Sequence, residues 1–280
     1  MSDGVSRRMG NLSPEKQALL VLQMKKKKAA EAAAARTAAG GAGGAGAGIP
    51  RRPDPSAPAP LSFAQQRLWL LDRLEPGTLA YNIPAQARLR GALDTAALEL
   101  ALGAILRRHE ALRTTFADRD AQPVQVIAPP GRFLLPVADL AGLPEELRRA
   151  EERRLLAASA RPFDLERGPL FRAALVRLAA EEHLLLLDMH HIVSDGWSLG
   201  ILFREMAALY EVFHEGRVPT LPILAKLPVQ FADFAVWQRE WLQGAVLDEQ
   251  LAYWRERLAG APPELELPLD RVRPAVQAHR

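Results

Sequence analysis

Leu184-Leu185-Leu186-Leu187-Asp188-Met189-His190-His191-Ile192-Val193-Ser194-Asp195-Gly196 is the stretch on which the reading of this chain turns. A short apolar run of this length suits a buried strand. It ends in two histidines, an Asp-Gly turn follows, and Leu199, Leu202, Phe203, Met206, Leu209, Tyr210 and Phe213 then recur at helical spacing. A strand, a turn and a helix in this order present one imidazole at a fixed point, and imidazole is the side chain best suited to moving protons near neutral pH. Neighbouring strand residues point to opposite faces, so one of His190 and His191 is expected to reach a cavity and the other to be structural. The same geometry disfavours a metal site on the pair. Asp195 is expected to hold the turn by pairing with an arginine, and Gly196 to supply a backbone angle that other residues resist.

Leu170 to Leu178 reads as a second strand, joined to the first through Ala179 to Glu182. Further upstream, Ser62-Phe63-Ala64-Gln65 fits a capping box that opens a helix to about Leu74. Ile83 to Arg90 alternates apolar and polar residues, as a half-buried strand does. Asp94 caps a helix with Leu98, Ala101, Leu102 and Ile105 on its apolar face. Leu112 to Phe116 and Val124 to Ile127 read as a strand pair across the turn Asp118 to Asp120. Pro144 starts a charged helix with Leu147, Ala150, Arg154, Leu155 and Ala158 on one stripe. Phe231 to Leu242 and Leu247 to Leu258 read as helices, and 264–280 as a Pro-interrupted loop. Interspersed strands and helices predict an α+β fold built as a two-layer α/β sandwich.

The chain has 280 residues, 49% of them hydrophobic, enough for one sizeable core or for one domain plus part of another. Its 36 Lys+Arg against 33 Asp+Glu leave a small positive excess, and no basic stripe interleaved with aromatics appears, so no nucleic-acid partner is expected. With 0 Cys, disulfides, thiolate metal sites and a Cys nucleophile are excluded, which suits the cytoplasm. No apolar run approaches the ~20 residues of a membrane span. Residues 1–60 read as a leader: a helix opened by Ser13-Pro14-Glu15 to about Ala39, a Gly/Ala tract, then a Pro-rich tract over 50–60. The leader is either a helix on a tether or a disordered segment with no role. The folded part divides at 61–230 and 231–280.

The string His190-His191-x-x-x-Asp195-Gly196 resembles the signature of condensation domains of nonribosomal peptide synthetases, shared with the chloramphenicol-acetyltransferase-like acyltransferases. Leu61-Ser62-Phe63-Ala64-Gln65-Gln66-Arg67-Leu68-Trp69 resembles the opening motif of the condensation branch. Arg108-His109-Glu110-Ala111-Leu112-Arg113-Thr114-Thr115-Phe116 resembles its second motif. Phe231-Ala232-Asp233-Phe234-Ala235-Val236-Trp237-Gln238 resembles its fourth, with Phe231 where Tyr is usual.

The resemblance implies amide formation between an acyl or peptidyl thioester on an upstream carrier domain and an aminoacyl amine on a downstream one. Each substrate hangs on phosphopantetheine, and no cofactor is bound directly. The catalytic histidine maps to His191, as general base or as the group that positions the amine. Its neighbours in the motif are His190, Asp195 and Gly196. The arginine paired with Asp195 maps to Arg108, and Arg113 is a second motif arginine. Trp197 and Trp237 are expected in the core or at a lobe interface. The partners implied are the two carrier domains and an adenylation domain, with residues 1–39 as a docking segment for another synthetase protein upstream. The family domain has two lobes. This chain is expected to supply the first lobe and the start of a truncated second, to have little activity alone, and to expose apolar surface on the helices of 231–258. Two other functions compete: a stand-alone coenzyme A-dependent acyltransferase, and a non-catalytic carrier-binding lobe.

Overall fold

The computed structural model describes residues 48–216, 224–262, 268 and 271. The leader helix and Gly/Ala tract expected before residue 48 therefore lie outside the described residues, as does the loop over 264–280 apart from 268 and 271.

Seven strands and six α-helices follow one another among the described residues. They are β1 (Ala59–Pro60), α1 (Phe63–Leu74), β2 (Asn82–Arg90), α2 (Thr95–Arg108), a 3-10 turn (Glu110–Arg113), β3 (Thr114–Arg119), β4 (Gln122–Ile127) and β5 (Val137–Asp139). Then come α3 (Glu145–Ser159), β6 (Phe171–Ala179), β7 (Glu182–His190), α4 (Gly196–His214), α5 (Phe231–Trp241) and α6 (Gly244–Leu258). The class is α+β, as the sequence predicts.

A four-stranded sheet runs β2-β7-β6-β5 and a three-stranded sheet runs β1-β4-β3. β7 is central in the larger sheet, antiparallel to β2 and to β6, and it is buried from His183 onward. Its side chains alternate between two apolar clusters. Leu185, Leu187 and Met189 join Leu98, Leu102 and Ile105 of α2 and Leu202, Met206 and Leu209 of α4. Leu184 and Leu186 face Leu140, Val176 and Leu178, against which Leu155 and Leu156 of α3 pack. A run of four leucines is thus the signature of a strand covered on both sides, each buried leucine contributing about 1.5–3 kcal/mol. The β5–β6 pairing is parallel and three residues long, too short to show as a periodicity in the sequence.

The helix starts are chemical. Ser62 and Gln65 form both arms of the capping box of α1. Asp94 accepts the N–H groups of Ala96 and Ala97, at 3.0 Å each, at the start of α2.

Three expectations change. The Pro-rich tract over 50–60 is not a free tether: Ala59 is buried in β1, and Arg52 is buried between Asp233 (2.8 Å) and Glu110 (2.6 Å). Removing one partner of such a buried ion cluster costs about 3–5 kcal/mol. The second feature is α5, expected to open a second lobe, which packs against β1 and the 3-10 turn. Ala232, Asp233 and Ala235 are buried, and Asp233 ties it to Arg52. The expected exposure is met on both helices and most fully on α6: Phe231 and Trp241 of α5 are exposed, while α6 has no buried residue and Trp254 is 56% exposed. The third is its start at Gly244, where a positive φ of 52° needs glycine, rather than at Leu247. No described helix is long and apolar enough to cross a membrane.

Candidate active site

Pairing of β7 with β2 ends where Asn82 opposes His190, and the His191 N–H then donates to the Tyr81 carbonyl at 2.8 Å. The two histidines part at that point. His190 is 2% exposed. Its ring lies 6.3 Å from Tyr81 and 6.1 Å, edge-on, from Phe163. Its Nδ1 accepts the Ile192 N–H at 3.1 Å, which requires an unprotonated Nδ1 and leaves the ring proton on Nε2. Burial first, then the charge of His191, lowers its pKa to about 4. His190 is therefore a neutral ring that braces the turn.

His191 is exposed and lines a cleft of about 530 Å³ together with Gln65, Tyr81, Ser194, Asp195, Ser198 and Phe231. Its imidazole is open to a partner from the cleft. The turn is held from both sides. The Val193 N–H donates to the His190 carbonyl at 3.0 Å. From α1, the buried Gln65 amide donates to the Ile192 carbonyl at 3.3 Å and to Gln125 Oε1 at 3.2 Å. Gln65 thus serves twice, as a capping residue and as a clamp on the histidine turn.

Asp195 caps α4. Its Oδ1 accepts the Ser198 N–H at 2.8 Å and the Ser198 hydroxyl at 2.6 Å. These bonds, the hydroxyl first, hold its carboxyl below the usual carboxylate range. The expected ion pair between Asp195 and Arg108 is not formed. Arg108 Nε donates to Glu205 Oε1 at 3.0 Å, and Glu205 Oε2 lies 2.6 Å from His109 Nε2. Glu205 follows Asp195 by ten positions on α4, about 15 Å at 1.5 Å per residue. The end of α2 meets α4 there and not at its cap. Arg113 bonds the Ala128 carbonyl and lies 3.7 Å from Glu110, so it ties the 3-10 turn to the end of β4.

Gly196 is also not what the turn predicts. Its φ is not positive, and a Cβ would meet nothing within 4 Å. Trp197 is 81% exposed rather than in the core, and Trp237 stacks on Trp241 at 5.1 Å.

Tyr81, Phe163, Ser198 and Glu205 do not stand out in the sequence as parts of this site. Ser198 alone carries a signal, the Asp-x-x-Ser spacing of a helix cap. Among the described residues no group of His, Asp and Glu converges as a metal site.

The comparisons agree with this architecture. The chain belongs to the condensation-domain family, whose sequence model matches residues 56–280. A linear gramicidin synthase protein of Brevibacillus parabrevis is 53% identical over 222 residues, 79% of this chain and 3% of that synthase. Phosphinothricin tripeptide synthetase PhsC of Streptomyces viridochromogenes is 50% identical over 229 residues, 81% of this chain and 21% of the synthetase. Among solved structures, the X-domain from teicoplanin biosynthesis superposes with a TM-score of 0.67 at 35% identity, covering 81% of this chain and 49% of that one. The first condensation domain of the CDA synthetase gives 0.64 at 25% identity, covering 74% and 52%. The chain thus spans a small part of the synthetases and about half of each solved domain. Condensation domains of nonribosomal peptide synthetases catalyse amide bond formation.

Proposed function

We propose that this chain contributes the histidine-bearing wall of a site that joins a carrier-bound acyl or peptidyl thioester to a carrier-bound aminoacyl amine. The amine nitrogen attacks the thioester carbonyl, a tetrahedral centre forms, and the carrier thiol leaves as the amide appears. The nitrogen must shed a proton on the way, and His191 is the group placed beside it. Holding two tethered substrates together supplies much of the remaining acceleration. The phosphopantetheine arms belong to the carriers. The observation that carries this reading is the division of labour between the two histidines: His191 opens into the cleft while His190 is sealed and neutral.

By themselves these 280 residues are expected to form little product. They match about half of each solved domain, and a more open site excludes water less well. The test is a chimera in which residues 56–280 replace the matching segment of the linear gramicidin synthase protein. With loaded donor and acceptor carriers it is expected to release dipeptidyl product, and His191→Ala is expected to stop it. A folded, loaded chimera without product, or product indifferent to His191→Ala, overturns the reading.

One observation favours a second reading, a docking lobe without chemistry. The chain is 37% identical to the X-domain in a solved complex of the X-domain and OxyB. In that case His191→Ala leaves partner binding and every other property unchanged. We further place the chain in the cytoplasm, served by an adenylation domain, with residues 1–39 docking another synthetase protein upstream. Deletion of residues 1–50 is expected to weaken binding of an upstream carrier.

A further inference from the structure

A second cavity of about 290 Å³ lies beside the His191 cleft. Val193, Ser194, Ser198 and Phe231 line both spaces, so the two share a wall at the histidine turn. The other walls are mostly aliphatic: Ile105 from α2, Met189 from β7, Ile201 and Leu202 from α4, and Leu227 and Val229 from the segment before α5.

The outer wall is fastened at several points. Arg51 donates to the carbonyls of Pro228 (2.7 Å) and Leu227 (2.8 Å). Gln230 bridges back to the end of α2: its Nε2 donates to the Arg108 carbonyl at 3.0 Å, and its Oε1 accepts the Glu110 N–H at 3.1 Å. At the polar edge stands His109, whose Nε2 lies 2.6 Å from Glu205 Oε2, while Arg108 occupies Oε1. Both oxygens of this buried carboxylate are thus already engaged, and it has little charge to offer a ligand.

We propose that this cavity is a side-chain subsite, which takes an uncharged aliphatic side chain of a tethered substrate while that substrate's reacting group lies at His191. The inference rests on the reading of the His191 cleft as the reaction site. Its volume is at the lower end for small-molecule cavities and leaves ample room for a side chain of leucine or methionine size. Each methylene moved from water into such a space favours binding, and a carboxylate or ammonium there goes unpaired. The subsite therefore selects for aliphatic bulk and against charge. The side chain comes from the acyl donor or from the amine acceptor, and the test separates the two.

The experiment uses the full 280-residue chain with labelled Ile, Leu and Met methyl groups. The donor arm uses N-acetyl-aminoacyl-aminopantetheine and the acceptor arm uses aminoacyl-aminopantetheine, an amide replacing the thioester in each. The side chains are those of Leu, Ala and Asp. In one arm the Leu probe is expected to bind about tenfold or more tighter than the Ala probe and to shift the methyls of Met189, Ile201 and Leu202. The Asp probe binds more weakly still. Ile201 and Ala111 both line the cavity, and Ile201→Trp and Ala111→Leu, which narrow it, are expected to remove the Leu advantage while shifts at Leu68 in the His191 cleft persist. Equal binding of the three probes overturns the subsite, as does a Leu preference that survives in folded variants. If Ile201→Trp fails to fold, Ala111→Leu decides. If neither arm shifts Leu68, the subsite and the His191 reading both fall; Leu68 shifts without a Leu preference remove the subsite alone.

Discussion

The end of β7 and the turn that follows it are adjacent in sequence and opposite in character. His190 is enclosed by Tyr81 and Phe163, neutral, and bonded to the backbone of its own turn. One residue later the chain opens: His191, Asp195, Gly196 and Trp197 are all exposed. On the proposed function the fixed side serves the open one: an imidazole that moves a proton needs a backbone that does not move, and the buried ring with Gln65 holds that backbone. Stability should therefore reside in the first region and chemistry in the second.

The largest expected effect separates the two. His191→Ala should lower amide formation in the synthase chimera by about 10²- to 10⁴-fold, the usual contribution of a positioned acid–base group. Its unfolding free energy should stay within about 0.5 kcal/mol, because the side chain is exposed. A large loss of stability would erase the contrast.

Acid should act on the other histidine. The folded pKa of His190, about 4, lies below its ordinary 6.5, so folding disfavours the protonated ring. Its stabilising contribution is whole above pH 6.5 and is lost as pH falls from 6.5 through 4, by on the order of 3 kcal/mol for a shift of this size. Denaturant titrations over this range, on wild type and His190→Gln, check it. A ring titrating near its ordinary value by NMR would remove the sealed region from the argument.

Smaller effects sharpen the open side. Asp195→Ala removes the cap of α4 and should cost about 1 kcal/mol in a thermal or chemical melt. A cost near that of a broken buried ion pair, about 3–5 kcal/mol, would instead point to a cationic partner. Gly196→Ala should change stability least, within about 0.5 kcal/mol, since φ is not positive and the Cβ points into open space. A loss well beyond that would reveal strain at the turn.

Much of this is legible along the chain. Helix starts at Ser62, Asp94 and Pro144 and the alternating strand before Arg90 follow from interactions within four residues, which sequence spacing records directly. Strands of two and three residues, β1 and β5, carry too few positions to show a period. The arginine expected to pair with the turn lies elsewhere because ion pairing depends on where two helices cross. Arg108 and Glu205 are 97 positions apart, and nothing local to either names the other. Gly196 departs from expectation because an Asp-Gly pair signals a left-handed turn as readily as a helix start.

Local chemistry along the chain established that a buried strand ends at a histidine pair, that a capped helix follows, and that one imidazole at most faces a cavity. Which one does so was settled by Tyr81 and Phe163, brought from distant segments to close over His190. Packing likewise decided that α5 joins the body while α6 has no buried residue. Caps and periodicities arise between near neighbours and are written in order. Burial is a sum over elements that meet only after the chain has folded, so the same apolar pattern reads alike whether or not a partner covers it.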